Sequence, residues 1–244
     1  SAAGDHSRFT LHYRPDGRIL KGTAGSCVAV LPLPGTFNIE NIMAALLAAA
    51  GVLGRSPLDL VPDLKSLRGI KGRMLPINQG QDFSVIVDYA HTPGAYTKVL
   101  PVFRAGTSGR LIAVFGSAGE RDREKRPMQG ELAARYCDIL VLTNEDPRLE
   151  AEMAIIDEIA AGALAVRKDM PIHRIADRRE AIRKAFTLAR TGDLVVLLGK
   201  GHEQCIIFPD GKHPWDEETV ARQLLTELGF TGLSRTSAKS METK

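Results

Sequence analysis

Four short polar clusters follow four apolar runs in this chain: Asp88-Tyr89-Ala90-His91, Gly116 to Asp122, Glu145-Asp146-Pro147-Arg148, and Gly199-Lys200-Gly201-His202-Glu203. Together they hold acids, guanidinium groups and glycines. Carboxylates such as Glu145, Asp146 and Glu203 can hold an ammonium; Arg121 and Arg148 can hold a carboxylate. Glycines such as Gly116, Gly119 and Gly199 let backbone approach a bound molecule closely. Each cluster alone also has a plain reading as a strand-end turn. Arg123, Lys125 and Arg126 could meet an anion or lie in a solvated loop, and Lys200 and His202 read as solvent-facing. His91 is a weak candidate for a base, because a lone histidine is more often structural.

The elements that must position these residues can be read from periodicity. Apolar strands are expected at Ser84–Val87, Leu111–Phe115, Ile139–Leu142, Ile172–Ile175 and Leu194–Leu198. Helices are expected at Pro93–Phe103, Pro127–Tyr136, Ala151–Ala165, Arg178–Arg190 and Asp216–Leu228. Strands about 25 residues apart with helices between them indicate an α/β fold, a mostly parallel sheet with helices on both faces. Ligands of such sheets bind beyond the carboxyl ends of the strands, which is where all four clusters fall. Two short strands, near Ile206-Ile207 and just before, should extend one sheet edge. Glu217 and Glu218 suit the dipole of the last helix and need no further role.

The first 70 residues differ in character. Arg8 to Val30 alternates around Asp16-Gly17, a β-hairpin pattern. Ile39–Leu53 reads as a buried Ala- and Leu-rich helix, with Asn38 as its cap and Gly51 and Gly54 closing it. Ser56 to Leu67 suits a shorter helix. A linker is read at Gly69–Arg73, and a polar, frayed tail at 234–244.

A net charge of +3 gives no case for nucleic acid binding. No apolar run is read as a membrane span, and Cys27, Cys137 and Cys205 read as reduced thiols. A cytoplasmic monomer is the expectation. The chain does not begin with Met and reads as a piece of a longer protein.

Six ordered stretches resemble signatures of the Mur ligase family, most closely its MurE-type, tripeptide-forming branch. They are PGTFNIENIMAALLAA, KGRM, DYAHTPGAYTKVL, FGSAGERDREKRPMQG, TNEDPR and LLGKGHEQ. The resemblance runs from about Ser7 to Leu228. It implies that residues 1–70 are the C-terminal edge of the central, ATP-binding domain and residues 71–233 the Rossmann-like C-terminal domain, with 234–244 a tail. The phosphate-binding loop and the metal ligands for Mg2+ would lie upstream of this chain.

The activity implied is ATP-dependent amide formation in peptidoglycan precursor synthesis. A diamino acid (meso-diaminopimelate, lysine or ornithine) would be added to UDP-MurNAc-L-Ala-D-Glu through an acyl phosphate. The resemblance carries ATP contacts to Asn38, Asn41, Arg73 and Asp88. It carries amino-acid contacts to Arg121, Glu145, Asp146, Arg148, Gly199 and Glu203. From the residues alone, Asp88 could equally be a turn cap. Glu145-Asp146 departs from the family's commoner Asp-Asn and should favour a distal ammonium. Folylpolyglutamate-type ligases share the architecture, and a non-catalytic amino-acid-binding module is the reading from a different class.

Overall fold

The computed structural model describes residues 2–3, 6–15, 22–67 and 69–232. It divides into two compact units between Gly69 and Ile70. The Asp16-Gly17 turn and the 234–244 tail lie outside the described residues.

In the first unit, strands β1 (Ala2–Ala3), β2 (His6–Tyr13) and β3 (Gly25–Leu31) form an antiparallel sheet in that order. Partners run from Ser7 opposite Leu31 to Tyr13 opposite Gly25. Helix α1 (Thr36–Leu53) follows, ending at Gly54 with a left-handed φ of 63°. Its start departs from the sequence reading. Gly35 occupies the cap position, and Asn38 is inside the helix, its Nδ2 donating to Pro34 O at 2.7 Å.

Only Leu46 and Ala50 of α1 are buried, so it is not the buried helix its composition indicates. By length and composition α1 is long and apolar enough to cross a membrane, with a mean hydropathy of 1.5 and 11% of the span buried. The sequence reading did not anticipate this. Helix α2 (Pro57–Leu60) is capped by Ser56 and runs into a 3₁₀ segment, Val61–Ser66, rather than continuing as one helix.

The second unit begins with β4 (Leu75–Ile77) and β5 (Ser84–Asp88), followed by α3 (Pro93–Ala105) and β6 (Leu111–Phe115). Then come α4 (Lys125–Tyr136), β7 (Ile139–Leu142), α5 (Glu152–Val166), β8 (Ile172–Arg174) and α6 (Arg178–Leu188). Strands β9 (Leu194–Leu198), β10 (Cys205–Phe208) and β11 (Gly211–Pro214) precede α7 (Glu217–Glu227).

Six strands form one sheet in the order β4-β5-β9-β6-β7-β8. All neighbours are parallel except β4, an antiparallel edge strand too short to read from sequence. Every residue of β6, β7 and β9 is buried, as a parallel strand covered on both faces requires. Alternate residues Ile112, Val114, Val195 and Leu197 pack with Ala181, Ile182 and Phe186 of α6 and Leu224 and Leu225 of α7. Phe115, on the opposite parity, meets Tyr96 of α3 edge-on at 5.5 Å. Strands β10 and β11 do not extend the sheet. They pair with each other as a separate hairpin, and the partner of Ile206 is the following strand, not a preceding one.

Candidate functional site

The four polar clusters leave the carboxyl ends of β5, β9, β6 and β7, which are consecutive neighbours in the sheet. The strand order therefore sets them side by side on one rim, the place where α/β sheets bind ligands.

Glycines let the loops touch. A Cβ on Gly116 would lie 2.1 Å from Thr143 O, and one on Gly119 2.0 Å from Pro147 O. The loop after β6 is thus laid backbone to backbone on the loop after β7, and Gly119 N donates to Asp146 O at 2.8 Å. A Cβ on Gly72 would meet His202 N at 2.3 Å, which fits the linker as closely against the loop after β9. Met74, Glu120 and Arg148 all take positive φ (45°, 52° and 55°) on these loops, and backbone strain of this kind gathers at ligand sites.

Lys200 is the centre of the rim's ion pairs. Its side chain is fully buried, and Nζ donates to Asp146 Oδ1 at 2.9 Å and to Glu203 Oε2 at 2.7 Å. Its expected position in solvent is therefore wrong: a buried ammonium needs partners, and two acids supply them. Asp146 Oδ1 also accepts Ile207 N at 2.9 Å, while Arg148 N donates to Ile207 O at 3.0 Å, so the β10–β11 hairpin holds this loop. Tyr89 OH donates to Glu203 Oε1 at 3.1 Å. The Tyr89 ring also meets the rings of His91 and His202 at 4.6 and 4.9 Å, and the Arg73 guanidinium at 4.7 Å.

Glu145 lies behind Gly199, buried, with Oε2 lacking a hydrogen-bond partner. Burial pushes its carboxyl from 4.5 up to about 7, against the opposing pull of Lys125, Arg178 and Lys200. Beneath it Arg178 is almost wholly buried. It donates to Asn144 O and Leu198 O, both at 2.9 Å, and through Nε to Glu217 Oε2 at 3.0 Å, joining the ends of β7 and β9 to α7. Glu217, 1% exposed, is thus a structural counter-ion and more than a complement to the helix dipole.

The basic run before α4 separates by role. Arg126, with a fully buried side chain, pairs with Glu150 and Glu158; Arg123 pairs with Glu158; Lys125 donates to His91 O at 3.3 Å. These three are spent within the fold. Arg121 is exposed, and among the described residues neither it nor Arg148 is paired with a carboxylate. Arg148 Nε is buried without a partner. The structure thus gathers Glu145, Asp146, Gly199 and Glu203, with the backbone of Arg148, and sets Arg121 on the adjoining loop. Sequence reasoning missed Lys200, Tyr89 and Arg178. A lysine between two glycines, at the end of an apolar strand and three residues before Glu203, was the available signal for the first.

His91 Nδ1 lies 2.9 Å from Tyr89 O, so Nδ1 carries the hydrogen and Nε2 keeps its lone pair in the neutral ring. Asp88 accepts Met74 N and Ala90 N, each at 2.8 Å, and is 5% exposed. Its turn-cap role is the one these contacts describe. Burial raises its pKa against both bonds. Asn41 is exposed on α1 of the first unit. Arg73 is exposed, with its guanidinium over the Tyr89 ring. Among the described residues, no three His, Cys, Asp or Glu side chains are grouped to hold a metal ion.

Residues 72–201 match the family model for the Mur ligase, glutamate ligase domain. The chain belongs to this family. Among curated Mur ligase relatives, it is 53% identical over 213 residues to a UDP-N-acetylmuramyl-tripeptide synthetase of Roseiflexus sp., covering 85% of this chain and 41% of that protein. It is 43% identical over 221 residues to a UDP-N-acetylmuramoyl-L-alanyl-D-glutamate--2,6-diaminopimelate ligase of Syntrophomonas wolfei, covering 91% and 43%. A solved structure of a ligase of that second name superposes with a TM-score of 0.62 at 36% identity, over 84% of this chain and 41% of that one. The chain spans about two fifths of the length of the Mur ligases it matches.

Proposed function

We propose that this chain is the amino-acid-binding part of an ATP-dependent ligase of peptidoglycan precursor synthesis. In this reading residues 1–70 are the end of the ATP-binding domain and residues 71–233 the C-terminal domain. The enzyme adds a diamino acid to UDP-MurNAc-L-Ala-D-Glu in the cytoplasm. The names of the relatives support the reaction class.

One observation carries the site assignment. Asp146 and Glu203 share a buried lysine on the same rim where, among the described residues, Arg121 and Arg148 have no carboxylate of their own. The acids face the distal ammonium of the substrate, and the arginines its carboxylates. Each charge-assisted bond contributes about 1.5–3 kcal/mol. ATP supplies the phosphoryl group that activates the acceptor carboxylate, with Mg2+ as the accompanying metal. Within the second unit, the exposed Arg73 guanidinium over the Tyr89 ring supports a nucleotide contact at that residue. This chain's own contribution is to fix the amino acid so that its α-amine meets the activated carbonyl, with charge and position doing most of the work. The amine must lose a proton, and His91, with Nε2 free to accept, is the candidate acceptor.

The test is phosphate release by the full-length protein with ATP and the UDP-MurNAc-dipeptide, comparing diaminopimelate, lysine and ornithine. Release that depends on one of the three supports the reading. Release indifferent to all three removes it.

A further inference from the structure

We propose that Lys200 sets the amino-acid selectivity of this site by fixing its net negative charge; the proposal rests on the reading above. Seen from the sequence, Glu145, Asp146 and Glu203 form a wall of three acids. In the structure that wall is much weaker. Lys200 Nζ bonds Asp146 at 2.9 Å and Glu203 at 2.7 Å, so two carboxylates and one ammonium leave a single negative charge. Glu145 stands behind Gly199 with its side chain buried, and burial holds it toward the neutral form.

Lys200 is also fixed in place. Its side chain has no exposed surface, and Asp146 Oδ1 takes a further bond from Ile207 N. An acid that turned fully toward a ligand would take away one of the two carboxylates that hold this buried ammonium. The acid side of the pocket therefore presents about one charge, which one substrate ammonium balances. Arg121 and Arg148 on the adjoining loops favour a substrate that brings carboxylate. Such a site suits a side chain carrying both an ammonium and a carboxylate, of the diaminopimelate kind, over one carrying an ammonium alone. Removing the lysine charge leaves two negative charges and reverses the bias toward a purely cationic side chain such as that of lysine or ornithine. Lys200 is in this sense a positioning and charge-setting residue that need not touch the substrate.

The experiment compares kcat/KM for lysine and for ornithine with that for diaminopimelate in the full-length enzyme, using the wild type, Lys200→Gln, Asp146→Asn and the double variant. The ratio of cationic amino acid to diaminopimelate should rise about tenfold or more in Lys200→Gln and fall in Asp146→Asn. In the double variant, where no buried charge is left unpaired against Asp146, it should return near the wild-type value. Should Lys200→Gln fail to fold, the double variant carries the test. A ratio there equal to that of Asp146→Asn alone means that Lys200 contributes no charge to selectivity, and the proposal falls. Equal losses for all three amino acids in every Lys200 variant also overturn it, because they describe a fold support only. A wild type with no amino-acid-dependent turnover would instead refute the underlying functional reading.

Discussion

Gly199 stands directly in front of Glu145: a Cβ placed on Gly199 would lie 2.8 Å from Glu145 Oε2. The two residues follow β9 and β7, strands separated in the sheet by β6, and the missing side chain of one makes room for the carboxyl of the other. Gly199 also takes a φ of 103°, which an L side chain rarely adopts.

Gly199→Ala should therefore act twice, through backbone strain of about 1–3 kcal/mol and through displacement of Glu145. Urea denaturation should show that loss of stability, and the KM for the amino acid should rise more than the KM for ATP. An alanine variant of wild-type stability and kinetics would show that the loop yields freely.

Glu145 predicts a pH dependence with a definite sign. In the unfolded chain its carboxyl ionises near 4.5, and in the native protein near 7. Between these values the native state holds a proton that the unfolded state has lost, so this group makes stability fall as pH rises from about 4.5 to 7. Glu145→Gln removes that fall. Relative to wild type, the variant should gain up to about 3 kcal/mol between pH 4.5 and pH 8. Paired denaturation curves at the two pH values measure it, and a difference that does not change with pH would contradict the burial argument.

Glu217 and Glu218 are adjacent and should behave very differently. Glu217 closes a buried ion pair with Arg178 and accepts Trp215 Nε1 at 2.6 Å, whereas Glu218 pairs with the partly exposed Arg222. Glu217→Ala leaves a buried guanidinium uncompensated and should cost about 3–5 kcal/mol. Glu218→Ala should cost about 0–1 kcal/mol. Comparable midpoints for the two variants would show that Arg178 finds another partner.

Asp88→Asn tests the pin that holds the chain entering the second unit. Asp88 accepts two backbone N–H groups, at Met74 and Ala90, and an amide can accept only one of them without turning a donor toward the other. A loss of about 1–3 kcal/mol is expected from the orphaned buried donor. Wild-type stability, with a raised KM for ATP, would instead mark Asp88 as a nucleotide contact first.

The sequence was most informative where burial is total. Leu111–Phe115, Ile139–Leu142 and Leu194–Leu198 are apolar at every position, and their strands match those limits residue for residue. It was least informative where tertiary pairing decides. Leu75–Ile77 is only three residues long, and its place at the sheet edge depends on β5. The Cys205–Pro214 hairpin pairs internally for reasons of register that local composition does not reveal. At the site, residue types located the rim, but not which charges were already spent. Arg126 and Lys200 looked available, yet Arg126 is consumed by Glu150 and Glu158, and Lys200 by Glu203 and by Asp146, which only the fold brings close. Asn38 had the chemistry of a cap, but the helix begins two residues earlier.

The central claim is that Arg148 and its neighbours grip the incoming amino acid. It is tested most directly by Arg148→Ala in the full-length enzyme, with KM measured separately for the amino acid and for ATP. Loss of one charge-assisted contact should raise the amino-acid KM by about tenfold or more while the KM for ATP stays within about twofold. An unchanged amino-acid KM, or an equal rise in both, would contradict the assignment of this rim to the amino acid.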